Sequence, residues 1–280
     1  MIMRKLILVT VSMLLTVLTC GAKVGAEKSL YEKGKHITVT ILYDNYVYSK
    51  GMRPDWGFSC VVMGMEKNIL FDTGTRGNLL LGNMEKLKVE PKDIEVIVLS
   101  HNHRDHTGGL LSFLGKNSDV LVYLPPSCPD AFIEDVKRTG ARVAAPDAFV
   151  KICEDVYLTG PMGEAIKEQS MIVDTANGAV VVAGCSHPGI VSIVQTVKAK
   201  LARELYLVFG GFHLLSKSEA EVKNIIAALK KLGVQNVGPT HCTGERAIKL
   251  FKGAYGSEFV QMGVGRVLTL PKKSCPDKCS

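Results

Sequence analysis

The string His101-Asn102-His103-Arg104-Asp105-His106 constrains this chain more than any other feature. It sets three imidazoles and a carboxylate in one short stretch, the mixture of nitrogen and oxygen donors that zinc and related metals favour. In extended or looped backbone, residues two apart point the same way, so His101 and His103 can share one ion. Asp105 and His106 are then displaced toward a second position. The bland alternative is a polar surface loop rich in histidine, and the flanks argue against it. Asp93-Ile94-Glu95-Val96-Ile97-Val98-Leu99-Ser100 is short, apolar and β-branched, which predicts a buried strand. Thr107-Gly108-Gly109, followed by Leu110, Leu111, Phe113 and Leu114, reads as a helix start. The fold must therefore present a loop at the C-terminal end of a strand, a common place for α/β sites.

Other strand signals end in candidate ligands. Residues 68–71 run into Asp72-Thr73-Gly74, where Asp72 either hydrogen-bonds a liganding histidine from behind or caps the next helix. Val180-Val181-Val182-Ala183 leads to Gly184-Cys185-Ser186-His187, and residues 236–239 lead to Thr240-His241. A lone histidine at a strand end is more often a satisfied polar residue than a ligand. A metal string elsewhere in the chain tips both toward ligation. His213 follows Gly210-Gly211-Phe212. Glycines let backbone approach a ligand closely, so Gly211 is a candidate substrate contact. His213 is a candidate general acid, with core packing as the competing role. Cys242-Thr243-Gly244 opens a helix at 245–250, whose free amides and the Thr243 hydroxyl are candidates for binding phosphate.

These five stretches, taken together, resemble the metallo-β-lactamase superfamily from about residue 37 to 270. The last three resemble its branch related to the synthase that joins a dihydropterin to ribofuranosylaminobenzene phosphate. Pattern alone supports α/β or α+β; the resemblance implies a four-layer αββα sandwich, two packed sheets with helices on both outer sides. It also implies that His101, His103 and His187 hold a first ion, and that Asp105, His106 and His241 hold a second. Many members carry a Gly-Asp pair at a strand end to bridge the ions. Gly184-Cys185 and Gly210-Gly211 stand at the candidate strand ends here, so Cys185 is either a thiolate donor or a small buried residue.

The expected activity is metal-dependent hydrolysis of an ester, amide or phosphoester. Zinc is the first choice, as one or two ions, with manganese and iron as alternatives. A bound ion lowers the pKa of water from ~15.7 toward 7, and Asp105 is best placed to orient the nucleophile. Two other readings stand beside it: a pterin-coupling transferase using the same site, and a non-catalytic metal-binding protein.

Met1-Ile2-Met3-Arg4-Lys5 is a basic start before an apolar run from Leu6 to Leu18. That run suits a signal-peptide core and falls short of the ~20 residues needed to span a bilayer. Small residues Val24-Gly25-Ala26 offer cleavage before Glu27, which predicts an exported protein with a signal peptide over 1–26. Lipidation at Cys20 and an uncleaved anchor are the alternatives, and membrane contact is expected only through that segment. Its removal takes away Arg4, Lys5 and Lys23 and no acid, lowering the net charge from +7 to +4. The chain then has no run of five basic residues, so a small-molecule substrate is expected and nucleic acid is not. The 27–270 stretch is long enough for one domain with a sizeable core. Seven of the eight cysteines lie beyond residue 26, two of them, Cys275 and Cys279, in a polar tail at 271–280. An odd count leaves at least one outside any disulfide.

Strands are predicted at 36–43, 58–64, 68–71, 120–124, 150–158, 179–183, 205–210, 236–239 and 266–270. The clearest helix starts at Ser218, where Glu221 completes a capping box. Val222, Ile225, Ile226, Leu229 and Leu232 repeat at helical spacing until Gly233 ends it. That stripe predicts core packing.

Overall fold

The computed structural model describes residues 36–273; the segment read as a signal peptide and the tail cysteines Cys275 and Cys279 lie outside them. The chain lays down β1 (His36–Tyr43), β2 (Ser59–Met63), β3 (Ile69–Phe71), β4 (Val96–Val98), β5 (Leu121–Tyr123) and β6 (Arg142–Ala144). It continues with β7 (Val150–Cys153), β8 (Val156–Leu158), β9 (Met171–Thr175), β10 (Gly178–Ala183), β11 (Leu205–Gly211) and β12 (Asn236–Thr240), then closes with β13 (Val267–Pro271). Two mixed sheets result, ordered β13-β1-β2-β3-β4-β5-β6 and β12-β11-β10-β9-β8-β7. Pairing from β3 to β6 is parallel, as is pairing from β10 to β12, and the other ladders are antiparallel.

The alternation along each strand explains the layering. Val39, Ile41, Cys60, Val62, Phe71 and Val98 of the first sheet meet Val173, Val180, Val182 and Phe209 of the second in one core. Intervening residues face outward. Val61, Leu70 and Ile97 pack under α1 (Gly77–Lys86), α3 (Leu110–Leu114) and α4 (Asp130–Arg138). Val181 and Val208 pack under α5 (Ile190–Leu201), α6 (Glu219–Leu232) and α7 (Glu245–Tyr255). Both faces of each sheet are covered, which is why the parallel strands read as continuous apolar runs. The architecture is the four-layer αββα sandwich. No described helix is long and apolar enough to cross a membrane.

Helix α6 begins at the expected capping box: the Glu221 N–H donates to Ser218 Oγ at 3.3 Å, and the Ser218 N–H donates to Glu221 Oε2 at 2.8 Å. Gly233 closes it at φ +86°. The predicted single strand over 150–158 is instead a hairpin, β7 and β8, folded at Asp155, which takes φ +58°. The ladder β9 and the edge strand β6 were not anticipated. The helix expected after Gly109 is preceded by another, α2 (Arg104–Thr107), inside the donor string itself.

Candidate metal centre

Asp72 stands at the end of β3, the 101–106 string follows β4, Cys185 and His187 follow β10, and His241 follows β12. Within each sheet these strands run parallel, so their C-terminal ends share one edge, and side chains far apart in sequence meet where the two edges face each other. Donor atoms of His101, His103 and His187 lie within 4.8 Å of one another. Those of Asp105, His106, Cys185 and His241 form a second group on the same criterion, and Cys185, His187 and His213 form a third that joins the two. The helical turn of α2 accounts for the split: His103 ends the extended segment as its N-cap, while Asp105 and His106 turn away with the helix.

Three histidines have one ring nitrogen occupied and the other turned into the cluster. His106 Nδ1 donates to Asp72 Oδ2 at 2.7 Å. Ser100 Oγ also donates to that oxygen at 2.7 Å and receives His101 Nδ1 at 2.9 Å. His241 Nδ1 donates to Asn45 Oδ1 at 3.0 Å. Each Nε2 is thereby left as a lone-pair donor, the arrangement in which an oxygen partner fixes the tautomer of a metal ligand. His101 Nε2 lies 3.0 Å from His103 Nδ1, and His106 Nε2 lies 3.2 Å from Cys185 Sγ. Asp105 Oδ2 is 3.4 Å from His241 Nε2 and 3.6 Å from His106 Nε2. Buried His187 Nε2 has no hydrogen-bond partner. An orphaned imidazole nitrogen beside two others is what a cation would satisfy. The donor set fits a divalent metal.

The electrostatics agree. Burial, reinforced by the neighbouring imidazoles, holds His101 far below the usual histidine range. Burial and His213 push His187 down to about 4. Both are therefore neutral donors at physiological pH. At His106 burial opposes charge, but Asp72 outweighs it and pushes the ring up to about 9. The two carboxylates around that ring thus call for a positive charge, which a bound cation supplies.

Local backbone strain is concentrated here. Among described residues other than glycine, seven have positive φ, and four of them, Asp72 (54°), Ser186 (61°), His213 (53°) and His241 (50°), belong to this rim. Left-handed backbone is costly for residues with a Cβ and persists where the surroundings over-determine it.

Known proteins place the chain in a family. The profile described as Metallo-beta-lactamase superfamily matches residues 55–192. A 7,8-dihydropterin-6-methyl-4-(beta-D-ribofuranosyl)-aminobenzene-5'-phosphate synthase from Methanocaldococcus jannaschii is 30% identical over 250 residues, 73% of this chain and 85% of that one. The chain belongs to the metallo-β-lactamase superfamily. Among solved structures of the superfamily, Tm1679, described as a metal-dependent hydrolase, aligns with TM-score 0.73 and 29% identity over 85% of this chain and 100% of its own. The fold protein YhfI from Bacillus subtilis aligns at 0.65 over 84% of this chain and 100% of its own, with 15% identity, which speaks to fold alone.

Within this superfamily site, the two roles left open for Asp72 separate: it serves His106 and Ser100, while α1 starts at Arg76 with no side-chain cap. His213 is exposed, its ring 4.5 Å from that of His187, so it is not a core residue. Its hydrogen bond with Cys242 raises its pKa. Two expected substrate contacts are corrected. Thr243 is fully buried, donating to the Thr240 carbonyl at 2.6 Å and accepting from the Phe212 N–H at 3.0 Å, so its hydroxyl is committed inside the protein. Gly211 is buried too. A Cβ there would lie 2.3 Å from the Gly184 carbonyl and 2.7 Å from Cys242 Sγ, so it permits packing of the strand ends rather than approach of a substrate.

Sequence reasoning passed over Glu168. Its buried carboxylate accepts from the N–H groups of Cys185, Ser186 and His187 at 2.8, 2.9 and 2.8 Å, holding the loop after β10 in one shape. Asn45 and Trp56 were also missed. The Trp56 indole N–H donates to Asp105 Oδ2 at 2.9 Å. Nothing local in the sequence distinguishes these residues from ordinary loop residues; only the tertiary contacts do. Asp174, an acid near a strand end, pairs with Arg203 at 2.8 Å and with Lys273.

Proposed function

We infer that this protein is a metal-dependent hydrolase, zinc being the preferred ion, acting on an ester or phosphoester of a small molecule. The observation that carries the reading is the convergence of two donor groups, in each of which the inward-facing atoms lie within 4.8 Å of one another, with His187 Nε2 left without a partner. His101, His103 and His187 would hold one ion with a position left for a ligand, the usual mark of a catalytic rather than structural site. Asp105, His106 and His241 would hold a second, with Cys185 as a further donor where relatives use a bridging carboxylate. A divalent ion bound there supplies acidified water and stabilises negative charge developing on oxygen. The chain's own groups do the rest. Asp105, fixed by Trp56, orients the attacking water; Asp72 and Asn45 hold their histidines in the donor tautomer; exposed His213 is placed to give a proton to the leaving group. Soft and borderline donors together favour zinc over magnesium or calcium, with manganese and iron as weaker fits.

A second reading has its own support. The relative named as a synthase, at 30% identity, favours a transferase that aligns two substrates over the same rim. The basic-apolar N-terminus argues for an exported protein, where intracellular cofactor precursors are not expected, and so favours the hydrolase. The test is metal analysis of the purified chain followed by turnover of chromogenic esters, lactams, phosphomonoesters and phosphodiesters. Zinc-dependent turnover that is lost in His101→Ala supports hydrolysis. Stoichiometric metal with no hydrolysis across the panel overturns it and leaves the transferase and binding readings.

A further inference from the structure

We propose that Trp56 is the aromatic wall of the substrate site, against which a planar ring of the substrate lies while its reactive group reaches the donor cluster. This rests on the reading that the cluster is where the substrate reacts. A single exposed apolar side chain is ordinary on a protein surface. Trp56 differs in being both exposed and immobilised. It keeps 49% of its surface in solvent. Its N–H is spent on Asp105 Oδ2, and its ring centroid lies 5.2 Å from that of His241 at an interplanar angle of 56°. The backbone around it is fastened to the same rim. Its carbonyl accepts from the Thr75 hydroxyl, the Gly57 N–H donates to Asn45 Oδ1 at 3.0 Å, and the Phe58 N–H donates to the Asp105 carbonyl at 3.2 Å.

An indole held this way loses little freedom when a ligand arrives, so most of the stacking attraction is realised as affinity. With the N–H pointing at Asp105, what the ring offers to solvent is apolar π surface. That surface selects for flat, unsaturated groups rather than for charge. Leu215, two residues beyond His213, is likewise an exposed apolar side chain, at 56%. Its side chain packs at Gly244, where a Cβ would come within 2.6 Å of Leu215 Cδ2. The substrate class implied is an ester or phosphoester that carries an aromatic or heteroaromatic ring.

Trp56 is the chain's one tryptophan, so its fluorescence reports on this place alone. The zinc-loaded full chain is titrated with phenylphosphonate and with methylphosphonate, which share a head group and differ by the ring. Neither is an ester, so binding is read without turnover, and the outcome is separable from whether the protein hydrolyses anything. The expected result is that phenylphosphonate binds about fivefold more tightly, a ring preference in keeping with aromatic pairing, and perturbs Trp56 emission. By calorimetry, Trp56→Phe keeps the preference and Trp56→Ala loses it, whatever the change in the affinity that both ligands share. Equal affinity of the two phosphonates for the unmodified protein overturns the proposal. So does a ring preference that survives in Trp56→Ala. A uniform loss for both ligands in Trp56→Ala also overturns it, because the indole then acts only by positioning Asp105. Should neither phosphonate bind, the phosphoester reading fails and benzoate against acetate makes the same comparison; no preference for benzoate overturns the wall.

Discussion

At the scale of single residues, the site is built by pairing three of its histidines, His101, His106 and His241, with groups that fix which ring nitrogen stays free. Asp72 shows how much rests on one carboxylate: fully buried, it receives His106 Nδ1, the Ser100 N–H at 2.7 Å and the Ser100 hydroxyl. An amide at this position cannot accept from all three. Asp72→Asn is expected to keep the fold and weaken metal affinity about 10–100-fold, the usual effect of removing a ligand's supporting partner. Competition against a chelator measures it, and unchanged affinity would rule out the supporting role. Cys185 can be tested by spectroscopy. Cobalt-loaded protein should show a thiolate-to-cobalt charge-transfer band that Cys185→Ser abolishes; a band that survives rules Cys185 out as the sulfur donor. The donors themselves were readable because metal chemistry restricts residue type and spacing. Of their supports Asp72 was readable as well, one of two roles open to it, whereas Glu168 and Trp56 were not, since they act by virtue of where distant segments bring them.

At the scale of elements, legibility followed how local the determining interaction is. Helix α6 could be bounded from sequence because Ser218, Glu221 and Gly233 act within one turn of its ends. The hairpin of β7 and β8 could not. Its bend has neither glycine nor proline, and Asp155 takes positive φ with its carboxylate accepting from the Lys273 ammonium at 2.8 Å, a contact across 118 residues. The capping box gives a pH-dependent expectation. Hydrogen bonds from the Ser218 backbone, with those from Lys217 and the Ser218 hydroxyl, hold Glu221 down to about 2. A depressed folded-state pKa contributes stability above the unfolded value, about 4.3, and loses it as pH falls through about 2. Thermal melts of Glu221→Gln should therefore fall below those of the unmodified protein at neutral pH and converge with them between about pH 4.5 and 2. Parallel curves across that window would show that the carboxylate's charge contributes nothing. The loop after β10 depends on Glu168 in the same element-level sense. Glu168→Ala leaves three amide hydrogens unpaired, for which a loss of about 3 kcal/mol is expected at roughly 1 kcal/mol each. Denaturant midpoints check the loss, and a change within error would mean that water replaces the carboxylate.

At the scale of the whole molecule, the decisive property is that the donors come from both sheets. His101, His103, Asp105 and His106 follow β4 of the first, whereas Cys185 and His187 follow β10 and His241 follows β12 of the second. The apolar layer between the sheets, with Phe71 and Val98 on one side and Val182 and Phe209 on the other, brings the two rims into register. A cation that bonded to both sets would then tie the sheets together at the end where Asp72, Ser186 and His241 hold left-handed backbone. Binding to the folded state alone stabilises it by RT ln(1 + [L]/Kd), about 2.7 kcal/mol when free metal is a hundred times the dissociation constant. Stripping the metal should therefore lower the melting temperature by several degrees, and restoring zinc should reverse the change. The same treatment should have almost no effect on His101→Ala combined with His241→Ala, which removes a donor on each side. A chelated protein that melts at the temperature of the zinc-loaded one would mean that no ion joins the two rims, and the hydrolase reading would lose its foundation with it.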